Sequence, residues 1–145
     1  MKVIAINGSP KANGNTHTAL TLVGEELQKS GIEFEIIQVG NRLIRGCMAC
    51  GACAKNLNEK CIYDDEVNAC LQKLKTADGI LLGAPVHYAG IAGTMKSFLD
   101  RLCYVAGVDG GLFRHKVGAA VVAVRRSGGG PTFDALNHYI TYAGM

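Results

Sequence analysis

Four of the six cysteines in this 145-residue chain fall within fifteen positions, inside the stretch IRGCMACGACAKNLNEKCIYDD (44–65). Cys47, Cys50, Cys53 and Cys61 are spaced C-x2-C-x2-C-x7-C. Thiols crowded in this way close disulfides, grip a structural zinc ion or hold an iron–sulfur cluster. The amino terminus, MKVIAING, lacks the charged and then apolar character of a secretion signal. No apolar run approaches about 18 residues, the length a membrane span needs. A cytoplasmic protein is expected, in which thiols stay reduced, and that argues against staples. Size separates the other two answers. Zinc is a point about 2.3 Å from each sulfur, usually gripped by separated C-x2-C hairpins. Three thiolates in quick succession can instead wrap a cubane, each reaching a different iron. Gly46 and Gly51 free the backbone to turn round something bulky, and Arg42, Arg45, Lys55 and Lys60 either offset negative charge or are simply solvated. Zinc, and thiols that hold no metal, remain alternatives on spacing alone.

A second concentration of chemistry is NGSPKANGNT (7–16), between an apolar run and a helical pattern. A helix start offers unpaired N–H groups and the positive end of a dipole. Ser9 and Thr16 add hydroxyls, Asn13 and Asn15 amides and Lys11 a charge, while Gly8 and Gly14 permit close approach. A Walker loop is excluded, because five residues separate Gly8 from Gly14 and Asn15 stands where lysine belongs. A dinucleotide fingerprint is excluded by the missing glycine triplet and the missing acid after the second strand. A monophosphate held by hydroxyls and amides fits; the alternative is an ordinary turn rich in turn formers. In GAPVHYAGIAGTMKSFLDR (83–101), Pro85 directs the chain off a strand, Val86, His87 and Tyr88 offer a flat wall, and the glycines leave room for a planar ring. The four histidines show no metal-ligand spacing.

These stretches need elements to position them. KVIAI (2–6), EFEIIQV (33–39), GILLGAP (79–85) and KVGAAVVAV (116–124) read as strands. A helix capped at Asn15 or Thr16 buries Ala19, Leu20, Val23 and Leu27 and stops at Gly31. Others are expected from DDEVNACLQKLKTA, with Val67, Cys70, Leu71 and Leu74 inward, from GTMKSFLDRL (93–102), and from PTFDALNHYITYA (131–143), opened by Pro131. Cys70 and Cys103, the latter at a helix end, read as small core hydrophobes. The alternation predicts an α/β fold: one doubly wound parallel domain over 1–145, with a cysteine-rich loop at 44–63. Ligands bind such sheets beyond the carboxyl ends of the strands, which singles out loops 7–16, 40–63, 84–93 and 125–131. A net charge of +3, scattered, argues against a nucleic-acid partner.

Together, GSPKANGNT, APVHYAGIAGTMKSFLDR and VAVRRSGGGPT resemble the NADPH-dependent FMN reductase branch of the flavodoxin-like superfamily. With CMACGACAKNLNEKC added, the chain resembles the iron–sulfur flavoproteins, in which a compact cysteine segment holds a [4Fe–4S] cluster beside FMN. The resemblance implies that Ser9, Lys11, Asn13, Asn15 and Thr16 hold the FMN phosphate. It implies that Pro85, Val86, His87 and Tyr88 line the isoalloxazine, that Ser127, Gly128 and Gly129 close on the ring or ribityl, and that Cys47, Cys50, Cys53 and Cys61 ligate the cluster. The function it implies is an FMN-dependent redox protein without a catalytic side chain. Electrons would come from NAD(P)H or a ferredoxin-like donor and pass to a small-molecule or protein acceptor, in a homodimer or homotetramer. The alternatives are a two-electron NAD(P)H:flavin or quinone reductase without a cluster, and a non-enzymatic electron carrier or redox sensor. Members of the family usually continue into a further strand and helix, whereas this sequence stops at Met145. Either the natural product is longer or the 116–124 strand is left as an apolar edge. Because the cysteine loop follows the second strand, away from the crevice between strands one and three, an oligomer offers the easier path from cluster to flavin.

Overall fold

Apolar runs too continuous for one-sided burial put two strands at the centre of the sheet. In the computed structural model, which describes residues 1–145, β1 (Lys2–Asn7) buries Ile4, Ala5 and Ile6 completely. The strand β3 (Gly79–His87) is buried from Gly79 through Ala84. β1 pairs in parallel with β2 (Glu33–Gln38), Ile4 opposite Glu35, and with β3, Ile4 opposite Ile80. On its far side β3 pairs in parallel with β5 (Val117–Ala123), Leu81 opposite Ala119. The order β2-β1-β3-β5 is that of a flavodoxin-like doubly wound sheet, as expected from the sequence. A two-residue strand, β4 (Gly90–Ile91), folds back antiparallel onto Val86 and His87.

One face of the sheet is covered by α1 (Asn15–Lys29), whose Leu20 packs on Ala5 and Leu81 beside Phe34, Ile36 and Val121. The other carries the main core, built from α3 (Glu66–Lys75), α4 (Gly93–Val108) and α5 (Gly129–Tyr142) through Leu71, Leu74, Phe98, Leu102 and Leu136. A single turn, α2 (Ala52–Asn56), lies inside the cysteine segment. No helix is long and apolar enough to cross a membrane.

Several boundaries differ from the sequence expectation, each for a local reason. The cap of α1 is Gly14, in extended conformation and with no side-chain cap, rather than Asn15 or Thr16. The inward face of α1 is also rotated. Val23 is 37% exposed, and Gly24 faces the sheet, where a Cβ would lie 2.2 Å from the Phe34 ring. α4 continues to Val108 because Val105 and Ala106 are still buried, so Cys103 lies within the helix and not at its end. α5 opens at Gly129, with Pro131 inside its first turn. β5 has one unpaired edge, on which Val117 is exposed.

The carboxyl ends of β1, β2 and β3 are drawn tightly together. The Gly8 N–H donates to the Gly83 carbonyl at 2.8 Å, and Gly40 is buried beneath the loop after β1. A Cβ on Gly40 would stand 2.3 Å from the Gly8 oxygen and the Ser9 carbonyl carbon, which are backbone atoms and cannot rotate away. Gly40→Ala should therefore lower stability by about 1–3 kcal/mol. An unchanged urea midpoint would show that the loop yields freely.

Candidate functional site

The loop after β1 takes its shape from a buried amide. Asn7, completely buried at the last position of β1, donates from Nδ2 to Gln38 Oε1 at 2.6 Å and accepts at Oδ1 from the Ser9 N–H at 3.1 Å. Gln38 Nε2 donates in turn to the Ser9 carbonyl at 2.6 Å. The buried Ser9 hydroxyl accepts from the Lys11 N–H at 3.1 Å, and the Gly14 N–H donates to the Lys11 carbonyl at 3.2 Å, which brings the chain round to α1. With no side-chain cap on α1, its leading N–H groups are left for another acceptor. Thr16 is 1% exposed and its hydroxyl has no partner, an arrangement that costs about 1–3 kcal/mol. An uncapped helix start beside a buried orphan hydroxyl can hold an anion. Lys11, Asn13 and Asn15 are exposed around it.

The second wall is a strained hairpin. Pro85 and Val86 are half-buried, His87 is exposed, and His87 pairs with Gly90 across a turn whose central residues are Tyr88 (φ 45) and Ala89 (φ 65). Two left-handed residues in succession make the turn that suits a hairpin's twist, but without glycine each costs about 1 kcal/mol or more. The Tyr88 ring stands wholly in solvent, so packing is not what holds it there. Gly128 (φ 83) closes on this hairpin: a Cβ would lie 2.5 Å from the Ala89 Cα and 2.8 Å from Val86 Cγ1. Met95, in the first turn of α4, packs against Gly8. The loops that carry Ser9 and Thr16, Pro85–Tyr88, and Ser127–Gly129 thus leave the same carboxyl edge of the sheet, with Gly128 packed on the Val86–Ala89 hairpin. The sequence reading missed Thr132, in the first turn of α5, which is completely buried with an unpartnered hydroxyl. Its only signal was a threonine at the start of a helix.

The cysteine segment does not stay beside β2. It reaches α4, where Cys47, Cys50, Cys53 and Cys61 line one pocket with Tyr63, Arg101, Tyr104 and Val105. All six cysteines are free thiols. No three His, Cys, Asp or Glu side chains converge on a point suited to a single metal ion. Burial, reinforced by the charges of Cys61 and Cys50, pushes the Cys53 thiol up, so these sulfurs feel one another. The donor set suits a larger, multi-iron group; the free volume of about 20 Å³ does not, being about that of one water.

The two halves of the segment are held very differently. In the second, Asn68 Oδ1 accepts from the Cys61 N–H at 2.8 Å and its Nδ2 donates to the carbonyls of Cys61 and Tyr63, each at 3.1 Å. The Glu59 N–H donates to Asp109 at 3.0 Å. The first half is tied by side chains alone, the Tyr63 hydroxyl donating to the Met48 sulfur at 2.8 Å; Cys47 and Cys50 are exposed, and nothing lies within 4 Å of a Cβ built on Gly51. Cys53 is buried and Cys61 is held through its backbone, whereas Cys47 and Cys50 face solvent. Ala49, Leu57 and Glu59 all have positive φ, so the segment's path is not set by local preference.

Arg101 is the other residue the sequence reading missed, although an arginine between Phe98, Leu102 and Val105 in an apolar stripe was its signal. It is 1% exposed. Burial works against its charge, but hydrogen bonds with Asp65 and Cys61 more than offset this and hold the guanidinium above its ordinary value. Of the surface cations near the pocket, Arg45 stacks on the Tyr63 ring at 4.5 Å, Arg42 lies 3.9 Å from Glu66, and Lys55 and Lys60 are exposed. A groove of about 540 Å³ lies between the second halves of α4 and α5 and touches none of these loops.

Over residues 1–145 the chain matches the family described as NADPH-dependent FMN reductase. It is 38% identical over 133 residues to an iron–sulfur flavoprotein of Methanocaldococcus jannaschii, covering 91% of this chain and 67% of that one. To an iron–sulfur flavoprotein of Archaeoglobus fulgidus it is 35% identical over 143 residues, covering 99% and 68%. Among solved structures, RosB with a bound 8-demethyl-8-formylriboflavin-5'-phosphate intermediate superposes with a TM-score of 0.79 at 18% identity, covering 99% of this chain and 60% of RosB. That likeness is one of fold. The chain spans about two thirds of the length of the two curated relatives.

The six thiols should differ in reactivity. Burial pushes Cys70 up to about 11 and Cys103 up to about 12, so both hold little thiolate near neutrality. In reduced, metal-stripped protein at about pH 8, both should alkylate more than about tenfold slower than the exposed Cys47 and Cys50. Peptide mass spectrometry after timed iodoacetamide quenches reads this directly, and equal rates would refute it.

Proposed function

The chain belongs to the NADPH-dependent FMN reductase family, and on that footing we propose that it is an FMN-dependent oxidoreductase that passes electrons between a reduced donor and an acceptor through FMN and a [4Fe–4S] cluster. The observation that carries this reading is the meeting of two donor sets on one helix. The first turn of α4 borders the crevice through Met95, and its Arg101 and Val105 border the four thiols. Arg101 is eight residues beyond Gly93, about 12 Å of helical rise. One helix thus borders both sets within one chain, and the homodimer or homotetramer implied by the resemblance would offer a second route.

Each residue group has a defined task. Ser9, Thr16 and the uncapped start of α1 hold the FMN phosphate, with Lys11, Asn13 and Asn15 at its rim. Pro85, Val86, His87 and Tyr88 form the wall for the ring, and Ser127, Gly128 and Gly129 close the far side. Cys47, Cys50, Cys53 and Cys61 hold the cluster, two from an anchored segment and two from an exposed stretch. When bound, FMN supplies hydride-level chemistry and release of single electrons, and the cluster supplies one-electron carriage. No side chain has to act as acid or base. An NAD(P)H-type or ferredoxin-like donor reaches the crevice from the open side that Tyr88 faces, and a small-molecule or protein acceptor uses the same opening or the exposed Cys47–Cys50 arm. Accessible thiols of this kind suit a reducing compartment such as the cytoplasm.

The phosphate assignment has a two-sided test in Thr16→Val. Valine keeps the shape and removes an orphan hydroxyl, so the ligand-free variant should melt at or slightly above the wild-type temperature. Its FMN affinity, read by fluorescence titration, should fall by about 1–3 kcal/mol. Undiminished affinity would move the phosphate elsewhere.

The cluster assignment is tested by anaerobic purification, a visible spectrum, and iron and sulfide assays. Wild type should contain both; Cys50→Ser should lose them, keep FMN, and lose single-electron transfer while any direct hydride step survives. A wild type that binds zinc and no sulfide, or a Cys50→Ser variant with unchanged iron, would overturn the assignment in favour of the cluster-free two-electron reductase.

A further inference from the structure

Arg101 is the only charged side chain among the buried residues, and a buried guanidinium demands partners for all its donors. Asp65 satisfies most of that demand as a fork: Nη1 donates to Oδ2 at 2.5 Å and Nη2 to Oδ1 at 3.0 Å. Nη2 also donates to the Tyr63 carbonyl at 3.3 Å, and the guanidinium lies 5.4 Å from the Tyr63 ring centre. Asp65 and Tyr63 thus take three of the five guanidinium N–H groups. Of the two left, the one on Nε faces the Cys61 sulfur at 3.3 Å.

We propose that Arg101 is a positioning residue for the thiol site: its guanidinium fixes the Cys61 sulfur toward the pocket and places a positive charge, shared with Asp65 and shielded from water, beside the clustered thiolates. This rests on the reading that the four cysteines hold a cluster. Arg42, Arg45, Lys55 and Lys60 are exposed, so water and salt screen them; Arg101 has neither around it. Asp65 does double duty. Its Oδ1 also accepts from the Val67 N–H at 3.1 Å and caps α3, so the residue that holds Arg101 is itself held by the helix that anchors Cys61 through Asn68. Lysine would keep the charge but could not grip Asp65 with two parallel bonds and reach the sulfur at once.

The test compares Arg101→Met, Arg101→Lys and Asp65→Asn with wild type, all purified anaerobically as the full chain. Iron and sulfide content in wild type comes first; without both, the cluster reading falls and this proposal falls with it. With both present, Arg101→Met should lose iron to a competing chelator about ten- to a hundredfold more readily than wild type, and Arg101→Lys by less. Cluster potential separates a charge role from a structural one. Removing the cation in Arg101→Met should move the potential negative. Asp65→Asn keeps a competent cap but removes an anion beside the same guanidinium, and should move it positive. A purely structural clamp would give no such opposition in sign. FMN titration and a thermal melt of each variant report folding; if Arg101→Met fails to fold, the potential and iron retention of Arg101→Lys decide. Wild-type iron retention with an unchanged potential in the folded arginine variants, or shifts of the same sign on both sides of the pair, would overturn the proposal.

Discussion

Everything at the carboxyl edge of this sheet depends on where one buried amide points. Asn7 occupies the last position of a strand whose preceding residues are fully apolar, so its side chain has no water to turn to. Its two ends reach different loops, Gln38 on one side and the Ser9 N–H on the other. Gln38 then closes the circuit on the Ser9 carbonyl. That circuit fixes where the chain leaves β1, which sets Gly8 against Gly83 and Gly40, and so sets the start of α1. The glycine at position 40 is a result of this closeness, because the Gly8–Ser9 backbone is too near for any Cβ.

α4 ties this edge to the thiol pocket. Its first turn packs under the β1 loop through Met95, and two turns later the same helix presents Arg101 to the cysteines. The pocket is lopsided: Cys61 is held by Asn68, Cys53 is buried in the α2 turn, and Cys47 and Cys50 ride on an exposed arm. Half of this donor set is thus held by backbone hydrogen bonds and half faces solvent. A rigid single-ion site would require four donors converging on a point, and these do not.

Sequence periodicity revealed the main strands and the long helices because central strands and amphipathic faces leave repeating signals; the sheet order came with the resemblance to flavodoxin-like proteins. Periodicity misplaced features decided by contacts between distant residues. Val23 was expected inside, but the close approach of Gly24 to Phe34 turns α1 about its axis. Gly14 caps α1 instead of Asn15 because the loop arrives extended. α2 and β4 are too short to carry any period. The crevice residues could be read from their loops, since glycine, serine and threonine cluster there for local reasons. Arg101 and Thr132 could not, because their roles depend on what lies across the fold: Asp65 and Cys61 for the first, burial without a partner for the second.

The Tyr88–Ala89 turn has a consequence for the thermodynamics of docking. Both residues sit in a backbone region that non-glycine residues avoid, and Gly128 is packed against Ala89 so closely that the turn has little freedom to relax. The entropy of ordering this hairpin is therefore lost when the protein folds rather than when a ligand arrives. A planar group settling on the tyrosine ring has only two side-chain torsions left to immobilise. A turn built on Asn-Gly would have folded with less strain, but an exposed aromatic ring could not have been placed at its tip.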